Sequence, residues 1–143
     1  MAHAQQTVTV DRPIAEVFAF LADGLNDPSW RPAVVSISHT SGSGVGAVYA
    51  QSMKGPAGRT IKGDYRVTGF DPPTTYTFEV IAGPARPIGA LALRELSPGS
   101  TEVTFTMDLK PAGLMVLAAP LINKQVRAEV ANIANLPAAI ETS

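Results

Sequence analysis

Apolar and polar residues alternate along most of this chain, and the alternation predicts β-strands. Strands are predicted over 5–10, 34–40, 47–54, 59–70, 74–82, 88–96 and 101–110. Short turns rich in Gly and Pro join the last six of these strands, and turns of this length connect only antiparallel neighbours. The pattern therefore predicts an antiparallel meander.

Two other segments repeat their apolar residues at helical spacing. A first helix is predicted within 11–23, where Pro13 suits the first turn. A long helix is predicted over 111–141, and Pro120 should kink or interrupt it near its start because proline lacks an amide hydrogen. The stretch 24–32 is dense in turn-forming residues and holds at most a short irregular helix.

The alternation also divides the predicted sheet into an apolar face and a polar face. Four aromatic rings fall on the apolar face, those of Tyr65, Tyr76, Phe78 and Phe105. Charged residues of both signs fall on the opposite face, which is typical of a solvated surface. Only the C-terminal helix is large and apolar enough to cover the apolar face. Because a twisted sheet wraps around a single helix, space can remain between the two.

Composition narrows the classes of function. The chain has 143 residues, of which 45% are hydrophobic and 16% charged, so a single globular domain over residues 1–143 is expected. The net charge of −1 gives no basic excess for nucleic acid. The absence of cysteine excludes disulfides and thiolate metal sites. No signal peptide is visible and the longest apolar stretch, 113–122, is too short to span a membrane, so a cytoplasmic protein is expected.

Candidate catalytic groups are few. His3 and His39 are far apart in sequence, and His39 is expected at an exposed strand end, with an acid–base role as the alternative. No metal site or cofactor is expected. Asp23 and Asp27 are interpreted as turn residues, and the orientation of Glu95 is ambiguous. No pair of carboxylates clearly converges, so the catalytic residues are unknown.

A family resemblance rests on four motifs and on their order. The motifs are VTVDRPIAEVFAFLAD, DPSWRP, YRVTGFDPPTTYTFEV and STEVTFTMDL, followed by the long helix. Together they resemble the SRPBCC superfamily (START-like, helix-grip proteins), in particular its polyketide cyclase/dehydrase-like branch, over essentially the whole chain. The resemblance implies an α+β helix-grip fold. A curved antiparallel sheet of about seven strands would wrap around the long C-terminal helix, with one or two short helices after the first strand.

The resemblance also implies a deep, mostly apolar cavity between the sheet and the helix, with Trp30 near its mouth. The candidate ligand-binding residues are Trp30, Tyr49, Gln51, Tyr65, Tyr76, Phe78, Phe105 and Met107. Ala92 is expected in the cavity wall, where Ala92→Phe should block binding. Arg94 is expected to point outward, and the alternative is an inward arginine on this otherwise small and apolar strand.

The sequence thus leads to a binding protein for a small, mainly apolar molecule (lipid-, polyketide- or aromatic-like). One alternative is a cyclase, aromatase or dehydratase that uses acid–base residues in the same cavity. A second is a domain whose core is filled and which binds no ligand. No nucleic-acid partner and no membrane span are expected, and a homodimer is one open alternative for the oligomeric state.

Overall fold

In the computed structural model, which describes residues 2–83, 85–109 and 119–142, the described strands form one antiparallel sheet. They are β1 (Ala2–Val10), β2 (Val34–Ser41), β3 (Val48–Lys54), β4 (Thr60–Lys62), β5 (Tyr65–Asp71), β6 (Thr75–Val80), β7 (Ile88–Ser97) and β8 (Ser100–Leu109). The strand order is β1-β8-β7-β6-β5-β3-β2, with β4 paired only to β3. The predicted α+β class and antiparallel sheet are confirmed.

Helices lie after the first strand and at the C-terminal end. They are α1 (Ile14–Ala22), a 3-10 helix (Gly24–Ser29), a short 3-10 turn (Pro56–Gly58), α2 (Ala119–Ala131), a 3-10 turn (Asn132–Asn135) and α3 (Leu136–Glu141). The expected helix over 111–141 is therefore interrupted at 132–135. Pro137 supplies the reason, because a proline ring clashes with the carbonyl four residues earlier, here that of Ile133. Pro120 lies in the first described turn of α2, and the part predicted over 111–118 lies outside the described residues.

The predicted strand 59–70 is divided into β4 and β5 at Gly63 and Asp64. At this break the Gln51 amide of β3 donates to the Asp64 carboxylate (3.1 Å) instead of to a backbone carbonyl. The Gly63 amide donates to the Gln51 carbonyl (2.9 Å). These two hydrogen bonds bridge the break between β4 and β5, next to the side chain of Gln51.

The core lies between the concave face of the sheet and the C-terminal helices. Along β8 every second residue is buried, including Val103, Phe105 and Met107. Ile122 and Val126 of α2 are buried on the opposite side. Full burial of each such side chain stabilises the fold by roughly 1.5–3 kcal/mol. The predicted apolar face is thus the covered face.

The 3-10 helix Gly24–Ser29 closes one end of this core. The Asp23 carboxylate accepts from the Leu25 amide at its start (3.1 Å). Gly24 lies so close to the sheet that a Cβ atom there would stand 2.3 Å from the Tyr65 hydroxyl and 2.8 Å from the ring of Tyr49. The glycine therefore lets this turn, and the residues that follow it, pack directly onto the tyrosines.

Candidate functional site

A cavity of about 370 Å³ separates α2 from the concave face of the sheet, and we call it the α2 cavity. Its apolar wall includes Met53, Phe78, Val80, Met107, Ile122 and Val126. Arg31, Gln51 and Glu129 add polar groups. Both the volume and this mixture of many apolar and few polar groups are typical of small-molecule sites.

The polar wall of the α2 cavity is organised by Arg31, which is 4% exposed. Its Nη1 donates to Asp27 Oδ2 (3.0 Å) and lies 3.5 Å from Gln51 Oε1. Its Nε donates to Glu129 of α2. Tyr65 donates its hydroxyl proton to Asp27 Oδ2 (3.2 Å). We call Asp27, Arg31 and Glu129 the ion cluster.

Burial sets the protonation behaviour of the ion cluster. Removal from water raises the pKa of Asp27 to about 6, although the Arg31 charge and the Tyr65 hydrogen bond oppose the shift. Burial alone would lower the pKa of Arg31, but Glu129 and Asp27 outweigh it, so the pKa is raised and the guanidinium stays charged. Burial, and next the Asp27 charge, raise the pKa of Tyr65, so its hydroxyl stays protonated.

Gln51 connects the ion cluster to the break between β4 and β5. Its Nε2 donates to the Gly63 carbonyl (3.0 Å) and lies 3.5 Å from Met53 Sδ. The side chain is 3% exposed, and its orientation is therefore fixed by the protein itself. Gln51 therefore presents a side-chain amide of fixed orientation to the α2 cavity.

A second cavity, of about 470 Å³, lies beneath α1, and we call it the α1 cavity. Its larger lining residues are Phe18, Tyr49, Val67, Phe70 and Tyr76, with Asp23 and His39 also on its wall. The His39 ring is exposed and stacks on Tyr49 with the ring centres 4.8 Å apart. Its Nε2 donates to the Gly42 carbonyl (2.6 Å).

An aromatic layer separates the two cavities. A void of about 10 Å³ within it is lined by Trp30, Tyr65, Tyr76, Phe78 and Phe105, together with Asp27 and Arg31. The Trp30 and Phe105 rings meet edge to face at 5.6 Å. The buried Trp30 Nε1 has no hydrogen-bond partner among the described residues, and the Tyr76 hydroxyl makes no well-formed hydrogen bond there, although it lies close enough to Tyr65 to interact with it. The layer is therefore densely packed but incompletely hydrogen-bonded.

The predicted ligand-binding residues are distributed over these three places. Gln51, Phe78 and Met107 line the α2 cavity, whereas Tyr49 and Tyr76 line the α1 cavity. Trp30, Tyr65 and Phe105 line the void between them. All eight side chains are buried, and their role in binding stays a prediction.

The structure corrects one interpretation made from the sequence of β7 and settles the orientation of two charged residues there. Ala92 lies on the exposed side of β7, where Leu91 and Leu93 point inward, so Ala92 is not part of a cavity wall. Arg94 points outward as expected and pairs with Glu102 (3.1 Å); Glu95, whose orientation was ambiguous, is exposed.

Asp27 is more than a turn residue, because it is 6% exposed and paired with Arg31. Sequence reasoning missed the ion cluster altogether. The spacing of Asp27 and Arg31, four residues apart beside the apolar Trp30, is the one signal that could have indicated a local pair. Nothing local indicated Glu129, which lies 98 residues from Arg31 along the chain.

The curved sheet closed around C-terminal helices, with a cavity between them, defines a helix-grip (START-like) protein. The chain belongs to the family described as polyketide cyclase/dehydrase and lipid transport, whose sequence profile matches residues 1–137. No curated protein sequence matches the chain significantly.

Solved structures share this fold at low sequence identity. TTHA0849 from Thermus thermophilus has a TM-score of 0.83 and 14% identity, covering 98% of this chain and 97% of its own. A START superfamily protein from Mycobacterium smegmatis has a TM-score of 0.79 and 15% identity, covering 99% of each chain. The ZhuI aromatase/cyclase from Streptomyces sp. R1128 has a TM-score of 0.72 and 22% identity, covering 96% and 90%. At these identities the likeness shows the fold alone.

The described residues also bear on metals and membranes. Within the described ranges, His, Asp and Glu side chains do not gather in groups of three or more that could hold a metal ion. No helix in the described part of the chain is long and apolar enough to cross a membrane.

Proposed function

We propose that this protein binds a small, mainly apolar molecule in the α2 cavity. The observation that carries the proposal is the 370 Å³ space left between buried apolar side chains of the sheet and of α2. A core that only stabilises the fold is packed with few voids larger than a water molecule. A space of this size costs stability, and a bound ligand would offset that cost.

Binding energy would come mainly from the apolar wall. Burial of ligand hydrocarbon against Phe78, Met107 and Val126 contributes roughly 25 cal/mol per Å², before the entropic costs of association. Gln51 and Arg31 would then fix the orientation of a polar group on the ligand. This division of roles between apolar and polar residues is usual in small-molecule sites.

The direct test is native mass spectrometry of the protein purified from its own source, which should show a bound small molecule. A second test uses the neutral dye N-phenyl-1-naphthylamine, which fluoresces in apolar sites. The exposed Ala128 lines the α2 cavity, so Ala128→Trp should block it and weaken dye binding at least fivefold. Ala131→Trp is the matched control, because Ala131 is exposed on the same helix and does not line the cavity.

The two variants must fold equally well, which circular dichroism will check. Equal dye affinity in both folded variants would contradict binding in the α2 cavity. The absence of dye binding by the wild-type protein, together with the absence of any copurified molecule, would favour a domain without ligand.

A second candidate is an enzyme of cyclase or dehydratase type. The observation that favours it is Tyr65, which donates to a buried carboxylate, Asp27, whose pKa is raised to about 6, a range suited to proton transfer near neutral pH. Both groups line the small void behind Phe78 rather than the α2 cavity, so a substrate would have to displace this ring. Turnover of a poly-β-ketone by the wild-type protein, lost in Asp27→Asn, would support this candidate.

A further inference from the structure

The ion cluster, which reaches the α2 cavity through Arg31 and Glu129 and has Asp27 directly behind Arg31, carries more negative than positive charge. This excess bears on the class of ligand that the proposed function would involve. In the ion cluster, one guanidinium (Arg31) faces two carboxylates (Asp27 and Glu129). Arg31 and Asp27 are 4% and 6% exposed, and the Glu129 side chain is 13% exposed, so water screens these charges poorly. The charge of Arg31 is already neutralised by the protein, and one carboxylate is left over when both are ionised.

Arg31 nevertheless has donor capacity left on the cavity side. Its Nε and Nη1 donate to carboxylates. Among the described residues, Nη2 donates to Met53 Sδ at a distance of 4.0 Å. A thioether sulfur is a weak acceptor. Because Arg31 and Met53 both line the α2 cavity, an oxygen atom placed there would be a better partner for Nη2 than the sulfur.

The charge on that ligand oxygen determines how favourably it binds beside Arg31. A ligand carboxylate beside Arg31 would stand near Asp27 and Glu129 as a third negative group. These two like-charge repulsions oppose a single attraction to Arg31, whose charge is already paired with both carboxylates. A ketone or hydroxyl oxygen accepts the same hydrogen bond without this repulsion.

Two lysines also line the α2 cavity and could attract an anion. Both Lys54 and Lys62 are exposed, and the Lys62 side chain is 72% exposed with its Nζ 3.9 Å from Asp64. Exposed ammonium groups are strongly hydrated and screened by salt, so they attract a ligand only weakly. The buried carboxylates therefore outweigh the lysines.

We propose that the α2 cavity selects uncharged ligands whose ketone, ester or hydroxyl oxygen accepts a hydrogen bond from Arg31 Nη2, and that it rejects carboxylates with the same carbon skeleton. This inference rests on the proposed function, because it describes the ligand of the same cavity. It specifies the charge of the ligand, which the cavity volume and the apolar lining do not determine.

The test compares three ten-carbon probes, 1-decanol, 2-decanone and decanoate, as competitors of N-phenyl-1-naphthylamine at pH 7.5. The neutral probes should displace the dye with dissociation constants at least tenfold lower than decanoate, a gap of about 1.4 kcal/mol. Decanoate that binds as tightly as 1-decanol would overturn the selectivity but leave the proposed function standing. If neither the dye nor any of the three probes binds, the selectivity and the proposed function are both overturned.

A charge variant sharpens the test. Glu129→Gln keeps an oxygen acceptor for Arg31 Nε and removes one buried negative charge, so the affinity for decanoate relative to 1-decanol should rise roughly tenfold. Glu102→Gln is the control, because Glu102 pairs with Arg94 on the outer face of the sheet. An unchanged ratio in folded Glu129→Gln would contradict the proposal, and if this variant does not fold, the comparison of probes on the wild-type protein still decides.

Discussion

The α2 and α1 cavities lie at opposite ends of the same concave surface and differ in their polar chemistry. Along β3 and β6, Gln51 and Phe78 belong to the α2 cavity, whereas Tyr49 and Tyr76 belong to the α1 cavity. The α2 cavity has Arg31 and Glu129 of the ion cluster on its wall, with Asp27 behind Arg31. The α1 cavity has a stack of rings, His39 on Tyr49 and Tyr49 on Tyr65, with centres 4.8 and 5.1 Å apart.

This difference shows that two neighbouring spaces of similar size need not be equivalent sites. In the α2 cavity the polar groups are fixed by several partners, so a ligand would meet a preorganised donor and little reordering would be needed on binding. In the α1 cavity the buried Tyr76 hydroxyl makes no well-formed hydrogen bond in the described part of the chain, and His39 is exposed. The predictions below act on the ion cluster, on the layer between the cavities, and on two tyrosines within that layer.

Removal of Arg31 should have the largest effect. Arg31→Met leaves Asp27 and Glu129 buried without their cation, which should lower the free energy of unfolding by about 3–5 kcal/mol. Urea denaturation followed by circular dichroism measures it. Arg94→Met is the control, since the Arg94 side chain is 69% exposed and its pair with Glu102 should contribute at most about 1 kcal/mol. Equal losses in the two variants would show that the ion cluster is no more important than a surface pair.

The layer between the cavities is tested at Gly89, which faces Phe78 on the neighbouring strand. A Cβ atom at Gly89 would lie 2.3 Å from Phe78 Cζ, so Gly89→Ala must displace the ring toward a cavity and should destabilise the protein by about 1–3 kcal/mol. Gly99→Ala is the matched control, because no atom lies within 4 Å of a Cβ atom built there. A Gly89→Ala protein as stable as the Gly99→Ala protein would mean that Phe78 moves freely between the two spaces.

Tyr65 and Tyr76 form the next comparison, because both are 3% exposed but only the Tyr65 hydroxyl makes a well-formed hydrogen bond among the described residues, whereas the Tyr76 hydroxyl interacts only weakly with Tyr65. Tyr65→Phe removes the donor to Asp27 and should cost about 1–2 kcal/mol in the free energy of unfolding. Tyr76→Phe removes a hydroxyl without a well-formed hydrogen bond and should be neutral or slightly stabilising. Thermal denaturation of the two variants checks the order, and a larger loss in Tyr76→Phe would show that its hydroxyl makes a well-formed hydrogen bond in solution.

Much of the fold could be predicted from the sequence, because a strand that is buried on one side alternates apolar and polar residues with a period of two. In β8 the residues Val103, Phe105 and Met107 alternate with polar ones, and the structure buries that set. This alternation does not identify the buried face of β7, because apolar residues occur on both of its faces. There the register decides, since Leu91 lies opposite Phe105 of β8, and Ala92 is left on the exposed side.

The candidate site could be predicted only in part, because its polar chemistry depends on contacts between distant segments. The aromatic residues of the concave face follow from alternation, but alternation cannot say that Phe78 borders one cavity and Tyr76 another. The ion cluster joins a 3-10 helix to α2, and in sequence Asp27 resembles any aspartate in a turn. Its burial results from how closely that turn packs on the sheet, which no local pattern records.

The smallest predicted effect is a dependence on pH that comes from Asp27. Its pKa is about 6 in the folded protein and near 3.8 when unfolded, so the folded state binds the proton more tightly. The contribution of Asp27 to stability is therefore fully present below about pH 3.8 and is lost as the pH rises through about 6. Between pH 7.5 and pH 5 the wild-type protein should gain about 1 kcal/mol relative to Asp27→Asn, which has no proton to bind at this position.

Urea denaturation of both proteins at the two pH values measures this difference, and other titrating groups cancel because the two proteins share them. Asp71→Asn serves as the control at an exposed carboxylate outside the ion cluster. The absence of any difference would mean that Arg31 holds Asp27 ionised throughout this range. In that case the ion cluster would carry its full excess negative charge at pH 5 as well, and the discrimination against carboxylate ligands should persist there.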